Sequence, residues 1–362
     1  MAHDITTKEE IIQFRLLNQQ LAFSKCKTVK SLLGLMGAMQ AQDHAMCKWA
    51  VGIRLPGETE RAVQQALDKG EILRTHLLRP TWHLVAVEDI YWLLELTAPQ
   101  ILLSMKFSQK QLGLTEATIA KSNRVIEQAL TPDKHLTREV LVAELNNAKI
   151  RTDDYRSGHL FLHAELAGLI CSGRMKGKEQ TYALLEKRVL NKKPLNREEA
   201  LAELARRYFS SHSPATLKDF AWWSGLQMKD ARAGIEMTDK SLISVTIQSK
   251  TYWYSQRYAH PESVENTVLL LPAYDEFVIS YKDRNVVLTA AHQKEAISSN
   301  GIFKPLILNK GQAMGIWKRV IKKDTVTLEM EFFRPPSRAD RKRIEEAAEA
   351  YGKFLEKKVV IR

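Results

Sequence analysis

Residues 71–85 read EILRTHLLRPTWHLV. Two short apolar runs flank Arg79-Pro80, where the chain must turn, so the stretch predicts a two-stranded ribbon. What precedes it reads as helices. Ile11, Ile12, Leu16 and Phe23 mark an amphipathic helix over residues 8–23. Thr28 caps a second helix through Leu32, Leu33, Leu35 and Met36, and Asp43 caps a third from His44 to about Arg54. Residues 60–69 form a fourth, closed by Gly70. Helices closed by a β-ribbon are the plan of a winged helix-turn-helix.

The plan recurs twice. Helices are expected over 114–130, after Thr137, and from Asp153 to near Gly173, followed by a basic turn and strand in GRMKGKEQTYALLEKRVL. A third set opens with Asn196 capping a helix over 197–209. Two helices meeting at Ser224-Gly225 follow, then a hairpin in SLISVTIQSKTYWYS. The remainder holds strand-like runs, TVLLLPAY, NVVLTAA, KPLILNKGQAMGIWKRV and TVTLEMEFF, and a terminal helix over 337–358. The expected fold is mainly α with β: tandem winged helix-turn-helix units over 8–112, 113–194 and 195–260, and a C-terminal β-rich domain with a terminal helix over 261–362.

Hydrophobic residues make up 44% and charged residues 27%, an ordinary globular balance. No apolar run is long enough to span a bilayer. The N-terminus, MAHDITTKEE, lacks a basic-then-apolar leader pattern, so a cytoplasmic, nucleoid-associated protein is expected. Cys26, Cys47 and Cys171 fit neither a disulfide frame nor a zinc site. The net charge of +12 favours an anionic partner, nucleic acid first. Residues 171–210 carry ten Lys and Arg against five acids, and 304–343 carry eleven against four. These two surpluses equal the net charge, so the positive field is expected to be local. Arg174, Lys176 and Lys178, around the Gly177 turn, read as a wing tip on phosphates. Arg79 at the ribbon turn is a phosphate candidate, Arg54 a further DNA-contact candidate. His83 can touch a lesion, a phosphate or a water.

GAMQAQD, residues 37–43, places Gln40 and Gln42 between two helices. By pattern alone these amides finish a helix and bridge backbone groups. Residues two apart share a face only in extended chain. The break before Asp43 permits that conformation.

Three longer segments carry a resemblance: SHSPATLKDFAWWSGL (211–226), HLFLHAELAGLICSGRMKGKEQTYALLEKR (159–188) and LLPAYDEFVISYKDR (270–284). The chain resembles the AlkZ-like (YcaQ-like) winged-helix DNA glycosylases from about residue 9 to the C-terminal domain. The resemblance implies a C-shaped basic scaffold around duplex DNA, release of N7-alkylated purines, unhooking of interstrand crosslinks, and a catalytic motif of Gln-apolar-Gln or Gln-apolar-Asp. That motif matches Gln40-Ala41-Gln42, with a small residue at its centre. A shallow cleft reached from the groove, without full base extrusion, follows from the same resemblance.

The chemistry suits such a motif. N-glycosidic hydrolysis passes through an oxocarbenium-like sugar, which most glycosidases meet with paired carboxylates. A glutamine is a poor base, but its carbonyl accepts from water and faces a cation. That help suffices only when the base is already cationic and leaves easily. The expected enzyme is a monofunctional glycosylase acting as a monomer on double-stranded DNA, without cofactor, metal, membrane or obligate protein partner. The alternatives are a winged-helix transcription regulator and a non-catalytic architectural DNA-binding protein. Trp222-Trp223 reads as core, and Asp275, Glu276 and Asp283 as structural acids paired with Arg284 or Lys282. No phosphate-loop, GxSxG or HExxH motif is present.

Overall fold

The computed structural model describes residues 5–238, 242–255 and 267–362; the expected unit boundary at 260/261 lies outside the described residues. The chain runs α1 (Lys8–Asn18), α2 (Val29–Met36), β1 (Met39–Gln40), α3 (His44–Gly52), α4 (Glu60–Lys69), β2 (Ile72–Leu77) and β3 (Thr81–Ala86). Next come α5 (Ile90–Gln111), α6 (Glu116–Leu130), β4 (Leu136–Thr137), α7 (Arg138–Asn147), α8 (Arg156–Leu166), β5 (Ile170–Ser172) and β6 (Thr181–Leu184). Then α9 (Leu185–Arg188), α10 (Arg197–Ser211), α11 (Leu217–Ser224), α12 (Met228–Glu236), β7 (Leu242–Ile247) and β8 (Lys250–Ser255). The last part holds β9 (Val268–Leu271), α13 (Glu276–Ile279), α14 (Ala290–Ala296), β10 (Leu306–Asn309), β11 (Gln312–Ile321), β12 (Thr325–Phe332), α15 (Arg338–Leu355) and β13 (Lys358–Ile361).

Helix starts follow the capping chemistry of the sequence. Thr28, Asn196, Thr216 and Ser337 each close a reciprocal capping box, and Asp43 Oδ1 accepts from the N–H groups of Ala45 and Met46 at 2.9 Å. Each satisfies N–H groups that a helix start leaves open.

Three sets share one wiring. A short strand pairs with the last strand of a ribbon, and two helices separate it from that ribbon. The orders are β1-β3-β2 and β4-β6-β5. In the third set Ala215 bridges Trp253 of β8, which pairs with β7. A five-stranded sheet, β13-β12-β11-β10-β9, forms the C-terminal part, antiparallel except for the parallel β12–β13 pair.

The cores are unevenly divided. Residues of 114–184 enclose one of their own around Ile126, Leu141, Leu160 and Phe161. Elsewhere cores join distant segments: α2, α3 and α4 pack against β9, β11, β12 and α15, with Trp49 in contact with Tyr351 and Phe354. A second core joins β2, β3 and α5 to α10 and α11.

Several elements differ from expectation. α1 stops at Asn18, because Gln20 adopts φ +60° and Asn18 and Gln19 turn their amides to Ser213 and Tyr281; Phe23 is left exposed. α8 ends at Leu166, and Gly168 at φ +70° turns the chain into β5 rather than letting the helix reach Gly173. NVVLTAA is not a strand: Val286, Val287 and Leu288 form a buried turn, and Ala290 and Ala291 open α14. α5 and β13 were not expected from the residue pattern: α5 carries Pro99 within it, and the four residues of β13 find their partner only through β12.

Candidate active site

Within GAMQAQD the chain is extended at Met39-Gln40 and bends at Gln42 and Asp43 on its way into α3. Gly37 ends α2 with φ +78°, and Met39 and Gln40 pair with Leu84 and His83 of β3. Gln40 and His83 are not hydrogen-bonded to each other through the backbone. The Ala41 N–H donates to Trp82 O at 2.7 Å, while the Gln40 N–H points away from β3 to the Glu276 carboxylate. Such non-hydrogen-bonded pairs bring side chains on one face closest together. His83 therefore stands beside Gln40.

The first set differs from the other two just here. In the second, the paired residue Thr137 itself caps α7, and in the third Thr216 caps α11 directly after Ala215. In the first, Asp43 caps α3 three positions beyond Gln40, so Ala41 and Gln42 are additional residues between strand and helix. They form a short step, bending at Gln42, between the two amides and the Asp43 cap.

Three distant groups fix this step. Glu276 takes the Gln40 N–H, Trp82 O takes the Ala41 N–H, and Arg74 Nε donates to Ala41 O at 3.0 Å. Arg74 is itself held over the Trp82 ring, 3.9 Å from its centre, and bonded to Gln180. Gln40 is 4% exposed, and its Oε1 also accepts from the Ala41 N–H at 3.0 Å. Gln42 is exposed. Ala41 is fully buried in the core beneath, so its size bears on packing and not on an open pocket.

Behind Gln40, Glu276 is 1% exposed. Burial opposes its charge, yet hydrogen bonds from His212, Ser280 and the Gln40 N–H outweigh that and hold the carboxyl at about 2. Trp223 Nε1 adds a bond at 3.1 Å. Glu276 is thus an ionised carboxylate sealed beneath the motif. Its field reaches His83 and Arg79. His83 is 1% exposed and bonds Thr81 O through Nδ1 at 2.9 Å; burial lowers its pKa to about 4, so it is neutral near pH 7.

The other predicted residues divide. Arg54 is fully buried and grips Asp275 with two bonds of 2.8 Å, while also binding Gln19 and Ala50 O. It is a structural cation that DNA cannot reach, which corrects the expectation. Asp275 accordingly pairs with Arg54, and Asp283 with Lys250, rather than with Arg284 or Lys282. His83, at 1% exposure, is no surface phosphate contact. Arg174, Lys176 and Lys178 are exposed around Gly177 at φ +63°, with Lys176 and Glu179 exchanging backbone bonds across the turn. Arg79 is only half-buried, but the ribbon turn that carries it rests on α11. Part of the local positive surplus is also consumed internally. Arg188 caps α4 through Leu67 O and Asp68 O, and Arg207 binds Asp89 and Glu203.

The family model of DNA glycosylase AlkZ-like proteins matches residues 33–354. The chain belongs to the AlkZ-like DNA glycosylase family. Its fold is similar to that of the Streptomyces sahachiroi DNA glycosylase AlkZ, with a TM-score of 0.81 at 18% identity, covering 99% of this chain and 100% of the other. No curated protein matches at the sequence level. Membership in the AlkZ-like family supports a DNA glycosylase with DNA as substrate. No described helix is long and apolar enough to cross a membrane.

Sequence reasoning missed Glu276, His212 and Arg74 as parts of this site. The signal for Glu276 was present, since an acid inside the apolar run YDEFVIS must be paired or buried at a cost. Its partner was not legible.

Proposed function

We propose that the chain is a monofunctional glycosylase that hydrolyses the N-glycosidic bond of N7-alkylated, cationic purines in duplex DNA, with Gln40 and Gln42 as the catalytic amides. One observation carries the reading. The Gln40-Ala41 step that leads into Gln42 is clamped at three backbone points above an ionised, buried carboxylate. Nothing in the wiring requires the two additional residues, and a helix start needs no such clamp.

The roles follow from the surroundings. Gln40 is held: its Oε1 keeps a lone pair for a water or for the cationic sugar, and its orientation is set before substrate arrives. Gln42, exposed and without a protein partner among the described residues, adjusts to the substrate. The Glu276 charge supports a developing oxocarbenium without touching it. At an effective dielectric of about 20, a unit charge roughly 8 Å away contributes about 2 kcal/mol. No strong base is required, because the leaving purine already carries positive charge. Uracil and undamaged purines, being poorer leaving groups, are not substrates.

The repeated order of short strand, two helices and ribbon supports three winged helix-turn-helix units over 8–112, 113–194 and 195–260, with the Lys176–Glu179 turn as a wing tip on duplex phosphates. A C-shaped embrace of the duplex and action on interstrand crosslinks belong to the same proposal. The test is to incubate the protein with a duplex containing N7-methylguanine and measure free base. Release by the native chain, lost in the Gln40→Ala, Gln42→Ala double variant, is the expected result. Full release by the double variant would remove this motif from catalysis. Sequence-selective binding without release would instead indicate a transcription regulator.

A further inference from the structure

Near Glu276 lie two arginines that form no ion pair among the described residues. Arg79 occupies the turn between β2 and β3, and Arg284 follows α13. Their guanidinium carbons stand 5.1 and 5.4 Å from the ring centre of one indole, Trp222, and Arg284 also lies 5.0 Å from the Phe303 ring. Neither guanidinium has a hydrogen bond or ion pair to a protein group among the described residues, and the Nε of each is buried without a partner. Burial lowers the pKa of both, and Arg79 lowers that of Arg284 further, outweighing the attraction of Glu276 for Arg79 and of Asp219 and Asp283 for Arg284.

The neighbouring carboxylates are committed elsewhere. Glu276 binds Gln40, Ser280 and Trp223. Asp219 caps α11 and receives the Lys282 N–H, and Asp283 pairs with Lys250. The cluster is nevertheless firmly built. Trp222 Nε1 donates to Ile279 O at 2.9 Å. Gly225, at φ +71°, lets the ribbon turn press onto the end of α11; a Cβ there would stand 2.2 Å from Leu78 O. Two half-buried like charges on one ring are desolvated and repel each other. Such an arrangement is relieved by an outside anion, and the planar guanidinium fork matches phosphate.

We propose that Arg79 and Arg284, held against Trp222, clamp one backbone phosphate of the DNA strand next to the Gln40 motif. Glu276 links the two places, since it touches Gln40 and its field is felt at Arg79. The clamp rests on the reading of this chain as a DNA glycosylase, and it fixes where the strand runs relative to the amides.

The probe is a fluorescein-labelled duplex with a tetrahydrofuran abasic analogue at the lesion position. Single methylphosphonates neutralise successive phosphates around it. With the native protein, neutralisation at one flanking position is expected to weaken binding about five- to tenfold. The Arg79→Met, Arg284→Met double variant should bind more weakly by a similar factor, be indifferent at that position, and show a log Kd–log salt slope smaller by about one. The free Arg284→Met protein should melt no lower than the native chain, since an unpaired charge is removed. If both variants misfold, the scan on the native protein with Arg284→Lys still decides, because Lys lacks the fork and should reduce the same positional sensitivity. A scan pattern unchanged in the variants overturns the clamp. Base release by the native protein with a flat scan removes the clamp alone. A positional scan signal without base release leaves the clamp and removes the glycosylase reading.

Discussion

The carboxylate of Glu276 accepts the main-chain N–H of Gln40, across 236 positions of sequence. This bond ties the motif to the C-terminal part of the chain and sets an ionised group directly behind it. Glu276→Gln keeps an acceptor and removes the charge. Single-turnover excision of N7-methylguanine should fall about ten- to thirtyfold, in line with about 2 kcal/mol of lost electrostatic support. Affinity for an abasic-analogue duplex should stay within about twofold. Unchanged excision would reduce Glu276 to a structural role. Glu276→Ala should also destabilise by about 3 kcal/mol, because it orphans Ser280, Trp223 Nε1 and the Gln40 N–H.

Gln40 and Gln42 should separate in their responses. Gln40→Ala is expected to reduce the single-turnover rate about a hundredfold, as loss of a preorganised group does. Gln42→Ala should cost about tenfold, since its exposed amide first orders when substrate binds. Both variants should keep the native melting temperature within about 2 °C. Equal and small effects would show that the amides only bridge backbone groups.

The two ionisable groups nearest Gln40 titrate below pH 5. Burial holds His83 at about 4, and the hydrogen bonds from His212, Ser280 and Gln40 hold Glu276 at about 2. The enzymatic excision rate, corrected for spontaneous depurination, should therefore be flat over this range. A limb with a midpoint near 6.5 would show that a charged histidine takes part. Stability behaves differently. His83 and His44 titrate near 4 in the fold and near 6.5 unfolded. Their neutral burial stabilises above 6.5 and is lost as pH falls toward 4. Glu276 contributes above 4.5 and loses its effect toward 2. Melting temperature should begin to decline below about pH 6.5.

Arg54→Ala leaves Asp275 as a buried, unpaired carboxylate. The loss should be about 3–5 kcal/mol, with DNA affinity per folded molecule unchanged. A specific loss of affinity at constant stability would restore Arg54 as a DNA contact.

The wing-tip cations are expected to act on affinity alone. Replacing Arg174, Lys176 and Lys178 together by Ala should lower the salt slope by up to about three and weaken duplex binding, with the saturated excision rate retained. An intact slope would show that this turn is solvated charge.

Much of the architecture was legible because its signals are local. Thr28, Asp43, Thr137, Asn196 and Ser337 announce helix starts, Gly70 announces a stop, and the 71–85 ribbon turns where Arg79-Pro80 stands. The end of α1 was misjudged at Asn18, where a tertiary demand won, and the end of α8 at Leu166, where the local stop of Gly168 was passed over. Trp222 and Trp223 illustrate the same divide. Sequence requires that adjacent tryptophans on a helix face different ways; only the fold buries Trp223 against Glu276 and leaves Trp222 between two arginines.

By itself, the sequence determined that Gln40 and Gln42 sit in a break between a helix and the Asp43 cap, because backbone periodicity and capping act within a few residues. Tertiary structure decided the rest. Whether an arginine faces DNA or a buried aspartate, as with Arg54, depends on which distant carboxylate lies within reach. Whether an amide is merely a helix end or a preorganised group depends on Glu276, Trp82 and Arg74 meeting at Gln40 and Ala41. Those meetings are set by the packing of segments up to 236 residues apart, and no local pattern encodes them.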